Sequence, residues 1–157
     1  RAVEAGDVEA VEALLQQQME HYGASYEDNM PCHPANEAVA TVNASINPDD
    51  VDCGWLAFYN DQPAGIINTP QGLGGGVFVS KEFEGQGIAK ALISERESYF
   101  QNDLKLSRVE RPVRADNEAS IGLHKKLGYE FTGASQNLLK ENPDPPGHTV
   151  LYLEKRF

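Results

Sequence analysis

The stretch best suited to do chemistry is Val79-Ser80-Lys81-Glu82-Phe83-Glu84-Gly85-Gln86-Gly87-Ile88-Ala89-Lys90-Ala91-Leu92. An apolar strand runs into a glycine-containing turn, and the turn opens a helix. A helix start leaves backbone N–H groups without internal acceptors, and the macrodipole adds partial positive charge there. Such a turn favours a phosphate or pyrophosphate. Gly85 and Gly87 would let the backbone approach a ligand closely, and the small Ala89 leaves room for it. The same residues also suit an ordinary strand-to-helix turn. The segment is not a P-loop, because no Gly-Lys-Ser/Thr follows, and G-x-G-x-x-G is absent too. A second segment, Arg114 to Tyr129, places Asn117 before a helix, Ser120 and His124 along it, and Leu127-Gly128-Tyr129 at its end. An imidazole, with a pKa near ~6.5, serves as acid or base at neutral pH.

Taken together, the two segments resemble the GNAT family of N-acetyltransferases. The first resembles its motif A, Gln/Arg-x-x-Gly-x-Gly/Ala ahead of an apolar helix. The second resembles its motif B, an Asn before a helix that ends in Leu-Gly-Phe/Tyr. The likeness holds in element order along the whole chain and at motif level over 77–131. It implies a single α/β domain over 1–157, with a mixed, mostly antiparallel sheet flanked by helices, the acyl-CoA N-acyltransferase fold. It implies acetyl-CoA as cosubstrate and no metal. The pyrophosphate would sit on the N–H groups of Gly85, Gln86, Gly87, Ile88, Ala89 and Lys90, with Glu84 contributing mainly backbone beside it. The pantetheine arm would pair with the backbone of Phe78 and Val79, in a gap where strands splay apart, with Asn117 hydrogen-bonding it from the far side; Ser120 contacts the arm or merely faces it. The acetyl carbonyl would meet an N–H near Val79, which polarises it. A neutral amine then attacks directly in a ternary complex, and the CoA thiolate leaves.

The chain departs from the family pattern in three respects. Glu84 stands where Gln or Arg is usual, and a carboxylate beside a pyrophosphate is unfavourable unless it points away. Gly74, Gly75 and Gly76 occupy strand positions that often carry a general-base carboxylate. His124 stands where a Tyr often protonates the leaving thiolate. It is read as the general acid or a hydrogen-bond partner of the thioester sulfur, against a residue that only packs beside the ligand. Asn117 serves as helix N-cap, as ligand contact, or as both through different atoms. Glu110 is a substitute base through water or a solvated strand residue. His21 and Tyr22 line an acceptor pocket or belong to surface and core.

These side chains need elements to hold them. Residues 1–5 read as an edge strand. Asp7 is the N-cap of a helix carrying Val8, Val11, Leu14, Leu15, Met19 and Tyr22 at helical spacing, with Gly23 as its stop. Pro34 starts a second helix with Ala35, Ala38, Val42 and Ile46 on one face. Residues 55–59 and 64–68 form a hairpin around Asn60-Asp61-Gln62-Pro63, and 77–80 a third strand. The helix after Gly87 carries Ile88, Ala91, Leu92, Glu95 and Tyr99. A strand lies within 106–115, interrupted by Pro112, then a helix over 118–127, and strands from 129 and over 149–153. The segment 140–148 reads as a rigid loop.

Composition narrows the classes. The 157 residues suit one domain, and 40% hydrophobic content suits a globular one. No apolar run approaches the ~18 residues a membrane span needs, and the first residues do not read as a signal peptide. Thirteen Lys+Arg against 24 Asp+Glu give a net charge of −11, which repels nucleic acid and anionic lipid and suits a cationic partner. Cys32 and Cys53 show no metal-ligand spacing and read as reduced thiols in a cytoplasmic protein. Cys32-His33 is only superficially a metal pair, and Trp55 reads as sheet packing. The acceptor is expected to be a primary amine on a small cationic molecule, or a basic peptide. The alternative is a non-catalytic CoA or acyl-CoA sensor or assembly module. The apolar C-terminal strand could pair two copies as a homodimer.

Overall fold

A computed structural model describes residues 1–22, 34–47, 54–68, 76–136 and 149–157. Gly23, Cys32, His33, Cys53, Gly74, Gly75 and the 140–148 loop, all singled out above, lie outside the described residues. The chain forms two compact units, Arg1–Tyr99 and Phe100–Phe157.

The first unit holds helices α1 (Val8–Tyr22) and α2 (Pro34–Ile46), strands β1 (Gly54–Tyr59), β2 (Gln62–Asn68) and β3 (Val77–Val79), and most of helix α3 (Ile88–Asn102). Its sheet is antiparallel in the order β1-β2-β3. The expected N-terminal strand is reduced to a bridge between Ala2 and Trp55, fixed by Val3 N–H to the Gly54 carbonyl and Leu56 N–H to the Arg1 carbonyl. The apolar spacing of α1 buries Val11, Leu14 and Leu15 against Ala38 and Val42 of α2, with Val3, Leu56, Ile66 and Phe78 completing the cluster. Ile46, expected on the buried face of α2, is exposed.

Asp7 does not cap α1 as a leading residue. It closes a 3-10 turn, Ala5–Asp7, that enters the helix at Val8. Its carboxylate accepts from the Glu4 N–H at 2.7 Å and from both Arg1 guanidinium nitrogens at 2.8 Å. The Arg1 hydrogen bond, reinforced by that N–H, holds the Asp7 carboxyl below its usual range despite burial.

The second unit holds the last turn of α3, strand β4 (Arg108–Arg114), helix α4 (Glu118–Lys126), and strands β5 (Glu130–Gln136) and β6 (Thr149–Arg156). This sheet is also antiparallel, in the order β4-β6-β5. Pro112 does not break β4, for a reason of parity. Phe157 N–H bonds the Ser107 carbonyl and Ala115 N–H bonds the Thr149 carbonyl, so odd-numbered residues of β4 face β6. Pro112 therefore turns its nitrogen away from β6 on an edge strand, and no ladder bond is lost. Val109 and Val113 are buried, as are Arg111, Tyr129, Val150 and Leu153. The Arg111 guanidinium lies over the Phe100 ring at 5.5 Å. No described helix is long and apolar enough to cross a membrane.

Candidate active site

In the first unit the site begins at β3. Ser80 N–H donates to the Ala64 carbonyl at 2.9 Å, and the register pairs Phe78 with Ile66 and Val79 with Gly65. Antiparallel alternation then turns the N–H and C=O of Phe78 toward β2 and those of Val77 and Val79 away from it. The side chain of Phe78 is buried in the core cluster. The sequence reading assigned the outward backbone to Phe78 and Val79; the register gives it to Val77 and Val79.

After β3 the chain makes a 3-10 turn, Lys81–Phe83, closed by Phe83 N–H to the Ser80 carbonyl. Phe83 anchors the turn, buried with its ring 5.4 Å from that of Tyr59. Glu84 then extends the backbone and is exposed. Gly85 and Gly87 adopt φ of +77° and +80°, and open space surrounds the position a Cβ would take at either. Glycine is needed there for backbone conformation and not for room. The helical ladder starts with Ala91 N–H to the Gly87 carbonyl at 3.0 Å. The N–H groups of Ile88, Ala89 and Lys90 therefore have no acceptor within the helix. Lys81 and Lys90 are exposed on either side of the turn, as is Gln86 between the two glycines.

The position of that helix depends on Gly65, which sequence reasoning treated only as a strand residue. A Cβ there would lie 2.8 Å from the Phe78 carbonyl oxygen, 3.1 Å from Ile88 Cγ2 and 3.2 Å from Leu92 Cδ1. Gly65 lets α3 settle directly onto β2, which fixes its first turn relative to β3. The available signal was a glycine inside an apolar strand, a mark of close approach.

In the second unit Asn117 is the N-cap of α4, its Oδ1 accepting the Ser120 N–H at 3.0 Å. Arg114, at the end of β4, reaches Asp116 through two guanidinium nitrogens, at 2.9 and 2.6 Å, and steadies the approach to that cap. His124 is 4% exposed, and its Nδ1 lies 2.8 Å from the Ser120 carbonyl one turn back. A carbonyl oxygen only accepts, so Nδ1 carries the proton, and the neutral ring has its lone pair on Nε2. Tyr129 stands edge-on to the imidazole, centroids 4.9 Å apart at 83°. Tyr129 N–H also donates to the His124 carbonyl, so the residues after α4 fold back onto its last turn.

The remaining candidates fall elsewhere. Glu110 is exposed on β4, opposite Glu154 of β6, which itself pairs with Glu130 of β5. A hydrogen bond from Arg156, with Arg108 nearby, holds the Glu154 carboxyl below its usual range. His21 is exposed at the end of α1. Trp55 is buried 5.5 Å from the Tyr99 ring, which is a packing role. Among the described residues no group of three or more His, Cys, Asp or Glu side chains could hold a metal ion.

A β-strand, a two-glycine turn and a helix start in one unit, with an Asn-capped helix ending in Leu-Gly-Tyr in the other, define a class of acyl-transfer domain. The model of the acetyltransferase (GNAT) family matches residues 9–129, through both units, and the chain belongs to that family. In sequence it is 31% identical over 67 residues to the L-amino acid N-acetyltransferase AaaT of Escherichia coli (strain K12), a match covering 43% of this chain and 41% of that protein. The chain thus spans about two fifths of that relative's length. In fold it is similar to a ribosomal-protein-alanine N-acetyltransferase from Brucella melitensis, with TM-score 0.75 and 18% identity over 100% of this chain and 98% of that one. It is also similar to the spermidine/spermine N-acetyltransferase SpeG from Vibrio cholerae, with TM-score 0.70 and 18% identity over 99% and 90% of the two chains.

Proposed function

We propose that this chain transfers the acetyl group of acetyl-CoA to a primary amine by direct attack in a ternary complex. The observation that carries the reading is the pair of left-handed glycines, Gly85 and Gly87, ahead of a 15-residue helix whose first N–H groups have no helical acceptor. That arrangement takes the donor's pyrophosphate. The outward N–H of Val79 polarises the acetyl carbonyl, and the arm pairs with the edge presented by Val77 and Val79. Asn117 has its Oδ1 committed to the cap, which leaves its amide N–H groups for the arm, with Ser120 beside it. His124 handles a proton of the reaction.

The acceptor is a primary amine on a small cationic molecule, with a basic peptide next, in keeping with the net charge of −11. The relatives are named for an amino acid, a ribosomal-protein alanine and spermidine/spermine, and so agree only on an amine. The exposed Glu84 beside the turn favours a second reading, a module that binds CoA without turnover. Calorimetric titration with acetyl-CoA tests the site. Micromolar binding that Gly87→Val abolishes supports it, and no binding at millimolar ligand removes both readings. Release of CoA thiol with an amine panel then separates enzyme from sensor.

A further inference from the structure

Gly65 touches both ends of the proposed donor site, and all the residues concerned lie in the first compact unit. Across the ladder it is paired with Val79, whose outward N–H belongs to the acyl end. On the face that α3 covers it meets Ile88 and Leu92, one helical turn apart and both buried. Ile88 has two roles at once. Its side chain packs against the bare backbone of Gly65, while its N–H is one of those at the helix start without a helical acceptor. The atoms around Gly65 do not yield equally. Leu92 Cδ1, 3.2 Å from a Cβ placed there, ends a flexible side chain and can swing aside. Ile88 Cγ2, at 3.1 Å, is bonded to its residue's own Cβ, and a β-branched side chain in a helix keeps one dominant χ1 rotamer. The Phe78 carbonyl oxygen, at 2.8 Å, is backbone turned toward β2 in the ladder. A methyl group at position 65 therefore displaces the β3 backbone and the first turn of α3, by a few tenths of an ångström at least.

We infer that Gly65 is a positioning residue for donor recognition, acting through Ile88. By having no side chain it sets the N–H groups at the start of α3 at the separation from the β3 edge that one donor molecule can span. The inference rests on the donor site proposed for this chain. A thioester arm and a pyrophosphate on the same molecule bind as two linked parts. Once one part is held, the other is captured from a high effective concentration, and that gain is lost when the geometry no longer lets both engage. Gly65 thus selects a class of donor, a thioester carried on a pyrophosphate-bearing nucleotide, over the same thioester on a bare arm. A side chain at 65 leaves the edge of β3 able to pair with an arm and leaves the helix start able to meet an anion. What it removes is the match between them.

The test titrates two donors, acetyl-CoA and S-acetylpantetheine, which share the thioester and the arm while only the first carries the pyrophosphate. Wild type should bind acetyl-CoA about 100-fold more tightly. Gly65→Ala should weaken acetyl-CoA by about tenfold and leave S-acetylpantetheine within about twofold of wild type. Ile88→Ala, which removes Cγ2 and keeps the N–H, should restore most of that loss in the Gly65→Ala background. Gly54→Ala is the control for crowding as such. A Cβ at Gly54 would lie 2.8 Å from Ser45 Oγ and 3.0 Å from Val3 Cγ2, and neither residue belongs to β3 or α3. It should lower Tm and leave the ratio of the two affinities at the wild-type value. Should Gly65→Ala fail to fold, Ile88→Ala alone carries the test, because it unseats the helix start from Gly65. It should weaken acetyl-CoA by about fivefold with S-acetylpantetheine within about twofold of wild type. The inference is overturned if Gly65→Ala weakens both donors equally, as a merely structural role requires, or weakens neither. It is also overturned if Ile88→Ala restores nothing, or if Gly54→Ala shifts the ratio as far. Wild type that binds neither donor, or binds both equally, overturns the donor site itself, and this inference with it.

Discussion

At the scale of single residues, two carboxylates make opposite contributions. Asp7 is held ionised by Arg1, an arrangement that stabilises the fold when the carboxylate is charged. Its folded-state pKa is depressed, so this stability is present above the unfolded carboxylate pKa of about 3.9 and is lost as pH falls through the folded value. Arg1 is 43% exposed, so solvent screening keeps the effect small. Asp7→Asn should lower Tm by about 2–4 °C at pH 7, and the difference should shrink toward zero as the solution is acidified below about pH 4. Thermal melts across that range check it. Glu84 offers a like charge to a bound pyrophosphate, and Glu84→Gln should tighten acetyl-CoA binding by about fivefold, the order of one charge pair a few ångströms apart in water. A titration showing weaker binding would mean the carboxylate points away or assists. His124 was legible in the sequence as an ionisable group in the right segment. Which ring nitrogen bears the proton was not, because that is set by a hydrogen bond to Ser120 of the folded helix.

At the scale of elements, turn and cap chemistry was readable and partner strands were not. The hairpin between β1 and β2 turns at Asn60 and Asp61, both at positive φ (49° and 63°), with Tyr59 paired to Gln62. This two-residue turn demands left-handed backbone twice, where glycine is better suited than Asp at the second position. Asp61→Gly should raise stability by about 0.5–1 kcal/mol, measured by denaturant unfolding. Asn117 was predicted to cap α4 and does so through its Oδ1. Asn117→Ala should cost about 1 kcal/mol of stability, and on the proposed function it should also weaken CoA binding, whereas Asn117→Ser should restore the cap alone. Pro112 weakened the prediction of a strand over 106–115, since a sequence does not state which edge of a strand is bonded. The ladder to β6 supplies that parity for Pro112, and the ladder between β2 and β3 moves the outward backbone from Phe78 to Val77.

At the scale of the molecule, charge and topology act together. The field of a chain with net charge −11 attracts a cationic acceptor over distances that salt screens. For such an acceptor kcat/KM should fall by about threefold or more between low and physiological ionic strength, while a neutral amine of similar size should show little change. Equal salt dependence for both would remove charge attraction from the account. The family match runs through both compact units.

The sequence by itself determined the order of helices and strands from α1 onward, the two-glycine turn before α3, the cap of α4 and the family. Each is a local property: apolar period, glycine backbone freedom, or a side chain bonding its own helix start. Only the tertiary structure decided that the paired strands form two antiparallel sheets, that Gly65 seats α3 on β2, that Val77 replaces Phe78 at the outer edge, and that Asp7 binds Arg1. Each of these depends on which distant or neighbouring residue a group meets after folding. Register, close approach and ion pairing are not encoded in the spacing of any single segment.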